Sequence, residues 1–109
     1  MQIPDLLPNA DRLRAFAAFA RTLNFTHAAA ALGLSQPAVH GQIKQLSASL
    51  GVPLYRRVGR RLELTDAGRL VQAHAERALR QAAELRATLA GQAAAQPARL
   101  AAGEGALLY

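Results

Sequence analysis

The chain has 109 residues, thirteen basic against seven acidic, a net charge of +6 and no cysteine. That length holds one small domain with an extension rather than two full domains, and the absent cysteines exclude disulfides, thiolate chemistry and zinc-finger sites. No apolar run is long enough to cross a bilayer and no signal-like pattern opens the chain, so a cytoplasmic protein whose positive charge favours a polyanionic partner is expected.

Met1 to Asn9 carries two prolines and reads as an arm. A first helix is predicted from near Asp11, with Leu13, Phe16, Ala17 and Ala20 on one face, ending at Asn24 and Phe25. Thr26 is predicted to cap a short second helix, with Phe25 before the cap stapled onto Ala30. Gly33 supplies the left-handed residue that closes it. Ser35 then caps a third helix, with Pro37 in its first turn and Leu34 stapled onto Val39. At 100° per residue, Val39, Ile43, Leu46 and Leu50 form its buried stripe. The opposite side presents Pro37, Gly41, Lys44 and Ala48, flanked by His40 and Gln45. This face is small and polar, open to close approach by another surface. Gly51 ends the helix and Pro53 forbids its continuation.

Leu54–Tyr55 and Leu62–Leu64 read as two short strands joined through Arg57-Val58-Gly59-Arg60, which makes a wing. Thr65 caps a long proline-free helix, with Asp66 placed favourably at its positive end. From Asp66 to about Ala95 it would run roughly 45 Å. Val71, Ala75, Ala78, Ala82, Leu85 and Leu89 recur at the heptad spacing of a coiled coil. Arg69, Glu76, Arg77, Arg80 and Glu84 lie on the far side, with Glu76 and Arg80 an i, i+4 pair. The regular seam calls for a partner, and a second copy of the chain is the economical choice. Gln92 to Pro97 reads as a linker. Ala98 to Ala102 reads as a strand opening a further domain, beyond which Leu107 and Leu108 stand without an evident core.

The charges are not evenly spread. From Arg12 to Leu62 there is no acidic residue but eight basic ones: Arg12, Arg14, Arg21, Lys44, Arg56, Arg57, Arg60 and Arg61. A helix-turn-helix followed by a cationic turn, in a segment free of carboxylates, outlines a surface that meets a polyanion, with duplex DNA the expected one. The third helix would enter the major groove with its first turn leading. Gln36 suits a bidentate contact with adenine and His40 a base edge or a phosphate, while Lys44 suits phosphate. Pro37 would either touch a thymine methyl or only stiffen the helix start. Thr26 is first a cap, at a helix N-terminus that also suits phosphate. Arg60 at the wing tip is the candidate for a narrow A·T-rich minor groove, Arg57 and Arg61 for the backbone, and Arg56 for the domain's own surface.

His27 and His74 have no second ligand at metal spacing. No nucleophile elbow, P-loop or paired carboxylate occurs. Neither an enzyme nor a resident metal or cofactor is expected.

Phe25-Thr26-His27-Ala28-Ala29, Leu32-Gly33-Leu34-Ser35-Gln36-Pro37-Ala38-Val39, Leu50-Gly51-Val52-Pro53-Leu54-Tyr55-Arg56-Arg57 and Leu64-Thr65-Asp66-Ala67-Gly68 occur in this order and spacing. Together they resemble the N-terminal DNA-binding domain of LysR-type transcriptional regulators, from roughly Leu13 to Ala90. The resemblance implies a mainly α fold: a winged helix-turn-helix over residues 1–64, a linker and dimerisation helix over 65–95, and over 96–109 a hinge and the first strand of an effector-binding domain. It also implies a homodimer formed by antiparallel linker helices, binding a dyad-symmetric promoter site through a recognition helix that starts at Ser35. A small-molecule co-inducer would belong only to a full-length form.

Three positions depart from the family pattern. His40 and Gly41 stand where Ser and Arg are usual, and Ser47 where Glu is frequent. Losing the arginine is expected to alter base preference, let the helix sit deeper in the groove and leave His40 as the replacement donor or acceptor. A different reading of the same residues is a helical protein–protein interaction module whose basic turn only aids solubility. A membrane-surface role for the long helix is disfavoured, because its apolar stripe is narrow and mostly alanine.

Overall fold

The computed structural model describes residues 9–95. The expected arm over 1–8, and the hinge and strand expected beyond residue 95, lie outside the described residues. The elements follow one another as α1 (Ala10–Thr22), α2 (Phe25–Leu32), α3 (Gln36–Leu50), β1 (Tyr55–Val58), β2 (Arg61–Leu64) and α4 (Asp66–Ala95). This is a mainly helical winged helix-turn-helix followed by a long helix. The chain divides into two compact units, the first ending at Leu79 and the second beginning at Arg80.

Helix boundaries follow from local chemistry. Asn9 caps α1, its side chain accepting from the Arg12 N–H at 2.9 Å. Leu23 ends that helix in the left-handed region, φ 56°, a conformation that costs a β-carbon-bearing residue about 1 kcal/mol. The next residue, Asn24, is extended, and its side-chain oxygen accepts from the His27 N–H at 2.9 Å. Asn24 is therefore the cap of α2, which corrects the expected cap at Thr26 and the staple from Phe25 to Ala30. Both Asn and Thr cap well, and the turn at Leu23 delivers the chain to the helix two residues earlier than the apolar pattern suggests. Phe25 becomes the first helical residue. Ser35 caps α3 as expected, accepting from the Ala38 N–H at 3.2 Å.

The core of the first unit draws on every element. Leu13, Phe16, Ala17 and Ala20 of α1 are buried with Ala28 and Ala29 of α2 and with Val39, Ile43 and Leu46 of α3. Leu50, the fourth residue of the α3 stripe, is only partly buried at its edge. α1 packs on both α2 and α3. Leu54, expected in the first strand, precedes it, and its side chain is buried in the core.

The hairpin is longer than the apolar residues alone indicate. Tyr55 pairs with Leu64, Arg56 with Glu63, Arg57 with Leu62 and Val58 with Arg61. Only Gly59 and Arg60 form the loop. Gly59 has φ 64°, the sign that a two-residue hairpin with glycine first requires.

α4 starts against the base of this hairpin. The Thr65 hydroxyl accepts from the Gly68 N–H at 2.9 Å and donates to the Pro53 carbonyl at 2.8 Å. The Thr65 N–H donates to the Leu54 carbonyl at 3.1 Å. Farther along, Ala75 is 0% exposed, and Val71 and Ala78 pack against the same core. The seam expected to meet a partner thus packs, up to Ala78, against the chain's own core, and Ala75 is corrected from an interface residue to a core residue. A core-facing stripe and a coiled-coil seam share nearly the same spacing over two turns. In the second unit, Leu85 is 59% and Leu89 54% exposed.

Gly68 is the position where this packing tolerates least. A Cβ there would stand 2.0 Å from the Leu54 carbonyl oxygen, which is backbone. Gly68→Ala is expected to destabilise the first unit by about 3 kcal/mol or to prevent folding, at or beyond the upper end of ordinary overpacking. A thermal melt superimposable on the parent's would contradict this close approach.

Candidate nucleic-acid interface

Burial of Val39, Ile43 and Leu46 fixes which side of α3 faces out. Gln36, Pro37, His40, Lys44 and Ala48 are exposed, and Gly41 is half-buried. A Cβ at Gly41 would meet nothing within 4 Å. Internal packing therefore does not require glycine there; what glycine does is leave the helix surface low. A groove of about 470 Å³ runs along this side, lined by His40, Gly41, Lys44, Ser47, Pro53 and Tyr55. Ser47 donates its hydroxyl to the Val52 carbonyl at 2.5 Å and so braces the turn after α3.

The first turns of α2 and α3 are tied together. The Gln36 side-chain amide donates to the Thr26 hydroxyl at 3.0 Å. With Asn24 serving as the cap, the Thr26 hydroxyl is available for this contact. Thr26, Ser35, Gln36 and Pro37 form an exposed cluster built from two helix starts, where backbone N–H groups and the helix dipoles favour negative charge.

An aromatic column supports His40. Its ring stacks on Phe25, centroids 3.6 Å apart and planes 19° apart. Phe25 in turn stacks on the buried Phe19 at 4.3 Å. Tyr55 meets Phe19 and Phe25 edge-on at 5.1 and 5.7 Å. The supporting role of Phe25 is not legible in the sequence, because the contact joins residues fifteen positions apart and depends on how α2 crosses α3.

The wing arginines separate by strand face. Directly paired residues project to the same side, so Arg57 shares its side with Tyr55, Leu62 and Leu64, and Arg56 shares the other with Val58, Arg61 and Glu63. Glu63 lies 3.2 Å from Arg61 and 3.9 Å from Arg56. Among the described residues, Arg57 and Arg60 have no ion-pair partner. Exposed ion pairs of this kind add little to stability, but Glu63 sets a carboxylate where two of the four wing cations would otherwise offer their full charge. Counting outward from Gly59-Arg60 reveals the Arg56–Glu63 pairing in the sequence itself.

Residues 10–69 match the model of the bacterial regulatory helix-turn-helix proteins of the lysR family. The chain belongs to the LysR family of bacterial regulatory proteins. The described residues carry the family's winged helix-turn-helix DNA-binding domain and a linker helix. It is 55% identical over 56 residues to the HTH-type transcriptional activator CmpR of a Synechocystis strain, covering 51% of this chain and 18% of CmpR. The match spans 18% of CmpR and 39% of the HTH-type transcriptional regulator BudR of Klebsiella aerogenes, so the chain covers well under half of either relative. Among solved structures, it resembles the complex of the BenM DBD with catB site 1 DNA, with 28% identity, a TM-score of 0.74 and coverage of 78% of this chain and 96% of that one. It also resembles the CbnR DBD–DNA complex, with 38% identity, a TM-score of 0.67 and coverage of 80% and 98%.

Removing the wing carboxylate is expected to strengthen binding to DNA. Glu63→Gln releases Arg56 and Arg61, so affinity should rise a few-fold. The log–log salt dependence should steepen by about 0.9 for each further phosphate that the freed arginines neutralise. Titrations at several salt concentrations that gave the parent's affinity and slope would show that Glu63 does not compete with phosphate.

Proposed function

We propose that the chain binds duplex DNA sequence-specifically as a homodimer, reading a dyad-symmetric promoter site. The observation that carries this reading is one exposed face of α3 bordered by a hairpin whose tip is Arg60, free of carboxylates on the Arg57 side. α3 enters the major groove with Gln36, Pro37, His40 and Gly41 nearest the bases. Lys44, and the helix starts at Thr26 and Ser35, meet phosphates. Arg60 enters the minor groove, and Arg57 and Arg61 hold the backbone. The resemblance to two family members crystallised with DNA supports this arrangement.

The winged helix-turn-helix acts as the reader and α4 as the linker and dimerisation helix. In the linker helix Leu85 and Leu89, with Ala82, form the contact between copies; the exposure of the two leucines supports this, and burial of Ala75 removes it from that role. The pairing sets the separation of the two recognition helices and so selects half-site spacing. A small-molecule co-inducer would act through an effector domain.

Selection from random duplexes at two salt concentrations, with sedimentation of the free protein, tests the whole reading. A paired, inverted motif recovered by a dimer is expected; tight binding of a monomer to one half-site would contradict it. Salt-insensitive binding of a protein partner with no shift of DNA would favour the interaction-module reading instead. Arg60→Ala should lower the salt slope by about 0.9 and weaken the preference for A·T-rich flanks. Leu85→Ser with Leu89→Ser should yield monomers that no longer discriminate half-site spacing, measured by sedimentation and by gel shift on spaced sites.

A further inference from the structure

The stack beneath His40 points to a division of labour within the recognition surface. We propose that Phe25 is a positioning residue which holds the His40 imidazole in one plane, so that a ring N–H donates to the major-groove edge of a guanine. This rests on the DNA-reading role proposed above and deepens it by naming the base and the device that selects it.

An exposed histidine on a helix ordinarily samples several side-chain rotamers. Here the ring lies flat on Phe25, which lies on Phe19, and Phe19 is fully buried in the core. The column therefore transmits the rigidity of the core to an exposed side chain. Both imidazole nitrogens lie in the ring plane, so fixing that plane fixes the directions in which they donate and accept. Among the described residues neither nitrogen has a hydrogen-bond partner, which leaves both for a ligand. The neighbouring Gly41 offers no side chain to hold a surface away, and the short imidazole then needs to reach only a small distance. Of the major-groove edges, guanine presents two acceptors side by side, N7 and O6, whereas adenine sets a donor beside its N7. A single N–H whose direction is fixed is best received by the two-acceptor edge.

The test compares base preferences, by competition on the selected site and its single-base variants, for the parent, His40→Ala, Phe25→Leu, Phe25→Tyr and the double variant His40→Ala with Phe25→Leu. The guanine facing His40 should be preferred about 3- to 10-fold by the parent, the range of one hydrogen bond. That preference should vanish in His40→Ala, fall as far in Phe25→Leu, and return in Phe25→Tyr, which keeps a ring. In the double variant Phe25→Leu should cost nothing further at that base. A purely structural Phe25 would instead weaken binding to every sequence alike, and an unchanged guanine preference in Phe25→Leu overturns the proposal. Should Phe25→Leu not fold, the upfield ring-current shift of the His40 carbon-bound protons in the parent decides. Its persistence on the DNA complex supports the proposal and its loss there overturns it. A parent that selects no motif would sink the DNA-reading role itself; a parent motif unaffected by His40→Ala would sink only this inference.

Discussion

Convergence of aromatic rings on Phe19 is the contact on which the rest of the first unit depends. Phe16 comes from the same helix at 6.4 Å, Phe25 from α2 at 4.3 Å and Tyr55 from β1 at 5.1 Å. Every phenylalanine of the chain, and its one described tyrosine, belongs to this cluster. In a sequence whose apolar content is largely alanine, Phe16 and Phe19 are among the few large side chains that are fully buried, beside Val39, Ile43, Leu46 and Leu54, and large side chains are what a small domain needs to hold its elements in register. The cluster does more than stabilise. Through the stack of His40 on Phe25 it also links α3 to the strand that carries the wing, so the exposed face of that helix and its cationic border share one foundation.

Electrostatics divides that border in a way that a count of arginines hides. Four wing arginines read as one block in sequence. Pairing across the hairpin places two of them beside Glu63 and leaves Arg57 and the tip residue Arg60 outside any ion pair of the described residues. The cationic field is therefore weighted toward the tip and toward the Tyr55 side of the hairpin. That is the side bordering the groove along α3, lined jointly by Tyr55, His40 and Lys44.

Much of the architecture is legible because its signals are local. Gly33 and Gly51 sit at left-handed helix ends, Ser35 and Thr65 cap the helices they precede, and the stripe of Val39, Ile43 and Leu46 tells correctly which side of α3 faces out. What escapes is settled by tertiary packing. Leu23 adopts a left-handed turn without the glycine that would announce it, and this moves the cap of α2 to Asn24. Ala75 belongs to a stripe that reads equally as seam or core, and only its burial in the core of the first unit decides. The Phe25–His40 stack has no periodic signature at all. The hairpin register is available in principle from its two-residue loop, but the arginine-rich strands lack the alternation that would draw the eye to it.

The fastening at the base of the wing has a consequence for how this domain breathes. Thr65 joins the two ends of the hairpin to the first turn of α4 through its hydroxyl and its N–H, and Gly68 lies against the Leu54 backbone at the same point. Opening of the hairpin and fraying of that helical turn must then be one event rather than two. Amide deuteration would register them as a single cooperative unit with a shared opening rate, and the arginine tip would keep its angle to α3 until that whole unit let go.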